Sequence, residues 1–430
     1  TRNTSKCDDE CALLALVSAL INRGVDINAH ARYGDTALIL ASSNFSSELV
    51  AFLLSKGADL NATNDNGDTA LLRCVSNDSG SAVNSEVACA LIGHDNMLSI
   101  DSQNRQGTSA LMLACQLNLQ DIFQALQLRR PDYNLRDKLG KTALMYVCER
   151  NHFKLLNMLL SDSGSIEGRP CVDLDIQDKK GKTALVHSIE VANEEMALLL
   201  IDRGSTLMVV TRRKRRKVSV PLCLLVACKK GMCAAAVAML DKGADPNYMG
   251  PNKCTPLISA CKEGHEDLAL ALLKYGADVN VIGIKKTTAL LCACEKGLER
   301  VALALIINGA NLDWRDSENR CALSIVCSSG LAPIARALFE AGVDVKAKVR
   351  GCCPEDPLLG ALTNCLRDVA LKLVLEGSDV NMTNSENRSA LLLACSKKYE
   401  DIAIAIVERG ADLNVQSCGG STALMWVCER

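Results

Sequence analysis

The chain has 430 residues, 48% of them apolar but only 3% aromatic, with a formal net charge of −2. That length excludes one small domain unless the chain is built by repetition, and an aromatic-poor core of Leu, Ala, Val, Ile and Cys suits closely packed helices rather than a sandwich or barrel. The near-zero charge excludes a polycation, so a basic patch must come from local placement.

No stretch approaches the roughly 18 apolar residues of a membrane span, and "TRNTSKCDDE" at the start has neither the apolar run nor the Met of a signal peptide. The missing Met points to a processed or trimmed chain. A leucine then recurs at Leu38, Leu71, Leu111, Leu144, Leu185, Leu224, Leu257, Leu290, Leu323, Leu358, Leu391 and Leu424, separated by 33, 40, 33, 41, 39, 33, 33, 33, 35, 33 and 33 residues. A basic period of 33 with occasional additions is the signature of a solenoid.

In chain order, "ALLALVSALINRGVDIN" from Ala12 predicts a second helix and turn without a first, a half repeat over 1–34. Eleven complete repeats follow, starting near 35, 68, 108, 141, 182, 221, 254, 287, 320, 355 and 388, and a partial repeat over 421–430 ends the chain. Each unit has a Thr-Ala-Leu turn, a short apolar helix, a polar turn, a second apolar helix and a polar hairpin. Thr at the start of that phrase can satisfy free amides of the helix it opens. Insertions fall near 76–93, 161–174 and 208–218. The first two are rich in Ser, Gly and Asp and predict mobile loops. The nine residues "TALMYVCER" (Thr142 to Arg150) return as "TALMWVCER" (Thr422 to Arg430), so the chain stops after one helix of a repeat. Each repeat buries its face on the next, and Met425, Trp426 and Val427 would be exposed, so more protein is expected beyond both ends.

Clear copies such as "TPLISACKEGHEDLALALLKYGADVN" (Thr255 to Asn280), with "GADLNA" (Gly57 to Ala62), "GADPN" (Gly243 to Asn247) and "GADLN" (Gly410 to Asn414), resemble the ankyrin repeat family over essentially the whole chain. The resemblance implies an all-α solenoid of helix-turn-helix units linked by hairpin fingers. Physical reasoning agrees: Gly57, Gly243, Gly276 and Gly410 follow the second helix, where a left-handed residue ends it, and the Asp and Asn beyond can bond backbone in a tight turn. The family's Thr-Pro-Leu-His opening keeps its proline only at Pro256, and its His is replaced throughout, as by Ile39, Met112, Leu291 and Ser324. Apolar contact must take over from that His.

Eight of 22 cysteines, Cys115, Cys148, Cys228, Cys261, Cys294, Cys327, Cys395 and Cys428, stand four residues after the recurring leucine. With no C-x-x-C pair, this column is read as small buried residues in a reducing compartment, not as disulfide or metal ligands. The five histidines are scattered, and His152 and His265 fall where the resembled family has a Gly-His turn, which implies capping. No phosphate loop, nucleophile elbow or H-E-x-x-H helix is present, so neither catalysis nor a cofactor is expected.

Binding surfaces remain. In the ankyrin family, hairpin tips and first helices line a concave groove. Here those tips carry Arg136, Lys138 and Lys141, then Lys179, Lys180 and Lys182, then Lys253, Lys285 and Lys286. The insertion near 208–218 carries the densest run, Arg212, Arg213, Lys214, Arg215, Arg216 and Lys217, expected to project as an extended finger. Such charge would attract an acidic or phosphorylated protein segment, and the run also reads as a nuclear import signal or a solvated loop. Missing aromatics argue against a sequence-reading RNA or DNA binder. Six residues before the terminal glycine, where the family usually has a charge, stand Leu198, Val237, Leu270, Leu303, Leu371 and Ile404. Two readings stand for them: a convex apolar stripe that docks another chain, or a rolled helix filling its own core beside small alanines. The functional expectation is a cytoplasmic protein-binding scaffold or subunit of a large assembly, with nuclear entry through Arg212 to Lys217 open. The alternative is the regulatory part of a larger kinase, ubiquitin ligase, acyltransferase or channel.

Overall fold

In a computed structural model, residues 3–44, 46–77, 82–94, 98–161, 172–207, 209–213, 216–220, 222–345 and 356–428 are described, with side chains for all but 3–12, 82–84, 209–213, 216–222 and 252. The chain divides into two compact units, Thr1–Val220 and Pro221–Arg430.

The first unit opens with α1 (Asn3–Asn22) and continues in helix pairs: α2 (Ala37–Ser43) with α3 (Ser47–Ser55), α4 (Ala70–Ser76) with α5 (Ala82–His94), α6 (Ala110–Leu117) with α7 (Gln120–Leu128), α8 (Ala143–Glu149) with α9 (Phe153–Ser161), and α10 (Ala184–Glu190) with α11 (Glu194–Asp202). It closes with two short antiparallel strands, β1 (Val209–Arg213) and β2 (Arg216–Val220). The second unit holds α12 (Leu222–Lys230) with α13 (Cys233–Asp241), α14 (Pro256–Glu263) with α15 (Glu266–Lys274), α16 (Ala289–Lys296) with α17 (Glu299–Ile307), α18 (Ala322–Ser328) with α19 (Ala332–Glu340), α20 (Pro357–Thr363) with α21 (Arg367–Glu376), α22 (Ala390–Lys397) with α23 (Glu400–Glu408), and finally α24 (Ala423–Cys428). Within each unit, first helices stack on first helices and second on second. Among the described residues no helix is long and apolar enough to cross a membrane.

The recurring sequence letters make this stacking. Thr36, Thr69, Thr142, Thr183, Thr255 and Thr288 sit in extended backbone ahead of the first helices, and each hydroxyl accepts from the amide three residues on. This satisfies one of the donors that a helix start leaves free. At Cys321 the hydroxyl is missing, and Ser324 Oγ accepts from the Cys321 amide instead. The leucine column from Leu38 to Leu391 is buried, as are Ile39, Met112 and Leu291 in the position the family gives to His. Most second helices end at left-handed glycines, such as Gly57, Gly243 and Gly410, while α7 runs into left-handed Arg130. Gly276 has φ +79 with nothing within 4 Å of an added Cβ, so the requirement there is conformation and not space.

Neighbouring repeats are joined by a rung between each hairpin and the next. In the first unit the carboxylate or amide oxygens of Asn28, Asn61, Asp101, Asn134 and Asp175 accept from the amides of Asp59, Ser99, Asp132, Asp173 and Thr206, at 2.7 to 3.0 Å. In the second, Asn247, Asn280, Asp313 and Asn381 accept from Asp278, Asn311, Asp344 and Asp412 over the same range.

One expectation is corrected. The insertion near 76–93 is not a loop throughout: Ala82–His94 is helical and buries Val87, Ala88, Leu91 and Ile92. These apolar residues at helical spacing outweigh the Ser, Asn and Gly around them. In the insertion near 208–218, the expected extended segment takes the form of two antiparallel strands, β1 and β2. Of the third, near 161–174, residues 162–171 lie outside the described residues.

Of the column cysteines, Cys115, Cys148, Cys228, Cys261, Cys294 and Cys327 are buried, Cys395 is half-buried and Cys428 exposed. Burial pushes the six buried thiols far above their ordinary range. Cys365 is different: it is exposed, and the Tyr399 hydroxyl and the Lys397 ammonium, 3.4 Å from its Sγ, hold its thiol below the usual range.

Thiol alkylation of the native chain at neutral pH, read by mass spectrometry, is expected to modify Cys365 before Cys418 and Cys428, and the six buried cysteines only after denaturation. Asn280→Ala removes the rung to Asn311, a bond worth about 1 kcal/mol. Hydrogen exchange at the Asn311 amide should quicken about fivefold, while Asn280→Asp, which keeps the acceptor, should restore most of the protection.

Candidate functional site

The hairpins are built on one side chain. Five residues ahead of each helix cap, Asn64, Asn104, Asp137, Asp178, Asp316 and Asn384 each accept two backbone amides of their own turn through one oxygen. This Asx geometry holds the tip. The second oxygen is bonded as well in several: Asp137 Oδ2 accepts from Tyr146 Oη at 2.6 Å, and Asp178 Oδ2 lies 3.2 Å from His187 Nε2, both residues buried. Sequence reasoning missed the His187 contact, whose signal is a His nine residues after an Asp at the hairpin tip. His152 and His265 do not cap. His152 Nε2 meets the Gln116 carbonyl at 3.3 Å, and His265 makes no cap bond but lies against Gly231. Among the described residues no group of three His, Cys, Asp or Glu could hold a metal ion.

The basic tips of the first unit divide into engaged and free. Lys141 Nζ bonds Glu149 at 2.5 Å and lies over the Tyr146 ring, and Lys182 Nζ bonds Glu190 at 2.6 Å. Although burial pushes Glu149 up, the Lys141 ammonium holds it below the usual carboxylate range. Arg136 reaches the Gln177 carbonyl of the next hairpin at 2.7 Å and the Gly140 carbonyl at 3.3 Å. Lys141, Lys182 and Arg136, expected at a partner contact, thus make contacts within the chain. Lys138, Lys179 and Lys180 are exposed.

Of the dense basic run, Arg212 and Arg213 belong to β1 and Arg216 and Lys217 to β2. The register sets Arg212 across from Lys217 and Arg213 across from Arg216. Lys214 and Arg215 lie outside the described residues.

In the second unit Lys253, Lys285 and Lys286 are exposed on two hairpins with 3-10 turns, Pro251–Lys253 and Ile284–Lys286. Beside them is a recess of about 600 Å³ on the first-helix face, floored by Leu225, Val226 and Ile258 and edged by Lys229, Lys262 and Lys285. Its far wall carries Glu295, Asp316 and Glu318 around the single Arg320, which lies 2.6, 2.8 and 3.4 Å from them, and Glu263 also lines the recess.

The apolar column takes neither extreme. Leu198, Val237, Leu270, Leu303 and Leu371 are half-buried, Ile404 is 59% exposed, and Ala269, Ala302, Ala335 and Ala370 are fully buried beside them. The leucines sit at the margin where neighbouring second helices meet. Leu270 lines a shallow groove with Leu273, Ala304 and Asn308 between α15 and α17.

The family sequence model described as ankyrin repeats (three copies) matches residues 10–98, 80–170, 111–211, 221–283 and 358–430. A search of curated proteins returns no match. Among solved structures, the crystal structure of the human ASB11 ankyrin repeat domain is similar at 24% identity, over 47% of this chain and 90% of that one, with a TM-score of 0.37. Matched by the family model over more than half its length and built of stacked helix pairs joined by hairpins, the chain belongs to the ankyrin repeat family.

Proposed function

We propose that this chain is a non-catalytic scaffold for protein–protein interaction, with the basic hairpin near 208–218 steering an acidic protein partner. Ankyrin repeats serve protein binding, and the acidic character of the partner is the finer step. The observation that carries it is the register of β1 and β2. Two like-charged pairs stand directly opposite one another, Arg212 with Lys217 and Arg213 with Arg216. Opposed like charges destabilise a strand pair, and an anionic partner would relieve the repulsion. A net charge of −2 across the chain means that this density is local.

Binding of a polyglutamate peptide to the full chain should weaken at least about tenfold between low and physiological salt, because exposed charges are screened over about 8–10 Å. Changing Arg212, Arg213, Lys214, Arg215, Arg216 and Lys217 together to Ser should lower the low-salt affinity by about tenfold or more, measured by fluorescence anisotropy. Equal affinity for both chains at both salts would remove the hairpin from the binding account.

A further inference from the structure

A hydroxyl stands just beyond the basic run. Ser219 follows Arg216 by three residues and Lys217 by two, and apolar Val220 comes next. Of all the serines and threonines in the chain, only Ser219 and Thr288 have cations both three and two residues ahead of them. That spacing carries chemistry. A protein kinase with an acidic substrate groove can hold the two cations while the hydroxyl beyond them meets the nucleotide, and such charge patterns are how kinases tell substrates apart.

The fold separates the two candidates. Thr288 is buried, and its hydroxyl already accepts from the Leu291 amide at the start of α16. It is committed to the helix. Ser219 lies in β2, which is extended and pairs with β1, and among the described residues no further strand lies along its other edge. An extended segment with an open edge is a form in which a groove takes a peptide.

The register says what a phosphate there would do. Residues two apart on a strand share a face. Ser219 is paired with Val210 and Lys217 with Arg212, so these four share one face of the ribbon, while Arg213 and Arg216 share the other. By strand geometry Ser219 is about 7 Å from Lys217 along β2 and about 7–8 Å diagonally from Arg212. Both distances fall inside the screening length of about 8–10 Å. A phosphoryl group brings about −1.5 to −2 charge at neutral pH, against the two cations of that face. It would nearly cancel them and relieve the repulsion between Lys217 and Arg212.

We propose that Ser219 is a phosphorylation site for a protein kinase that selects basic residues ahead of its serine, and that the phosphate closes the basic hairpin to an acidic partner. The second half rests on the acidic-partner reading, and the first does not. In the transfer the Ser219 hydroxyl oxygen bonds the γ-phosphorus of a nucleoside triphosphate as the bond to the β-phosphate breaks. The nucleoside diphosphate leaves, and the hydroxyl proton passes to the kinase's catalytic carboxylate.

The test treats the full chain with ATP, magnesium and the catalytic subunit of cyclic-AMP-dependent protein kinase, and maps phosphate by tandem mass spectrometry. The expected result is phosphate on Ser219 and none on Thr288 or on Thr211, whose cations follow it rather than precede it. Arg216→Ala should slow the modification about tenfold or more. Once Ser219 is modified, hydrogen exchange of the amides in 209–213 and 216–220 should slow as the opposed charges are relieved. Polyglutamate should then bind about tenfold more weakly at low salt, while Ser219→Ala treated in the same way keeps the exchange and affinity of the untreated chain. No phosphate on Ser219, or phosphate there that leaves both exchange and affinity unchanged, would overturn the proposal. If polyglutamate binds neither form while Ser219 is modified and exchange slows, the site stands and the acidic partner is overturned.

Discussion

Each repeat hangs on one hydrogen bond that it does not make with itself. The Asp or Asn at the end of one second-helix turn accepts the backbone amide of the equivalent turn 31 to 39 residues on, as Asn280 does from Asn311 and Asn134 from Asp173. A rung of this kind fixes the register of neighbours. Register decides that the leucine, cysteine and post-leucine columns meet their counterparts across the stack and become a shared apolar interior. Stability in such an arrangement is a sum of nearest-neighbour terms, and the rungs set which neighbours those are.

Because the interior is handled by these columns, hairpin chemistry can vary from repeat to repeat. The first unit uses its hairpin cations inwardly: Lys141 and Lys182 on glutamates, Arg136 on the next hairpin's carbonyl. Arg320 does the same in the second unit. Lys138, Lys179, Lys180, Lys253, Lys285 and Lys286 stay exposed, and positive charge is concentrated where β1 and β2 oppose like charges.

Much of the fold was legible in the sequence because its signals are local and repeated. Thr288 ahead of Ala289 and Leu290 spells a helix start, and Gly276 spells its predecessor's end, whatever lies elsewhere in the chain. Helix α5 was hidden because the Ser-, Asn- and Gly-containing segment just before it reads as a loop, while its buried stripe is only Val87, Ala88, Leu91 and Ile92. The site was less legible. Lys141 and Lys138 are indistinguishable as letters, and only the position of Glu149 one helix turn beyond the column separates the engaged cation from the free one. The Arg136 contact with Gln177 spans 41 residues and no local pattern contains it. Gly250 and Gly283 do carry a readable signal, since they break the Asx column that Asp137, Asp178 and Asp316 keep. It is seen once the repeats are aligned and the column five residues ahead of each cap is compared.

The account's central claim is that an acidic partner engages the strand pair on which like charges oppose one another. Hydrogen exchange of the full chain, with and without a saturating acidic peptide, tests this directly. The account predicts slowed exchange centred on residues 209–220, with the second helices α15 and α17 unchanged. Protection spread evenly over all hairpins, or concentrated on α15 and α17, would contradict it.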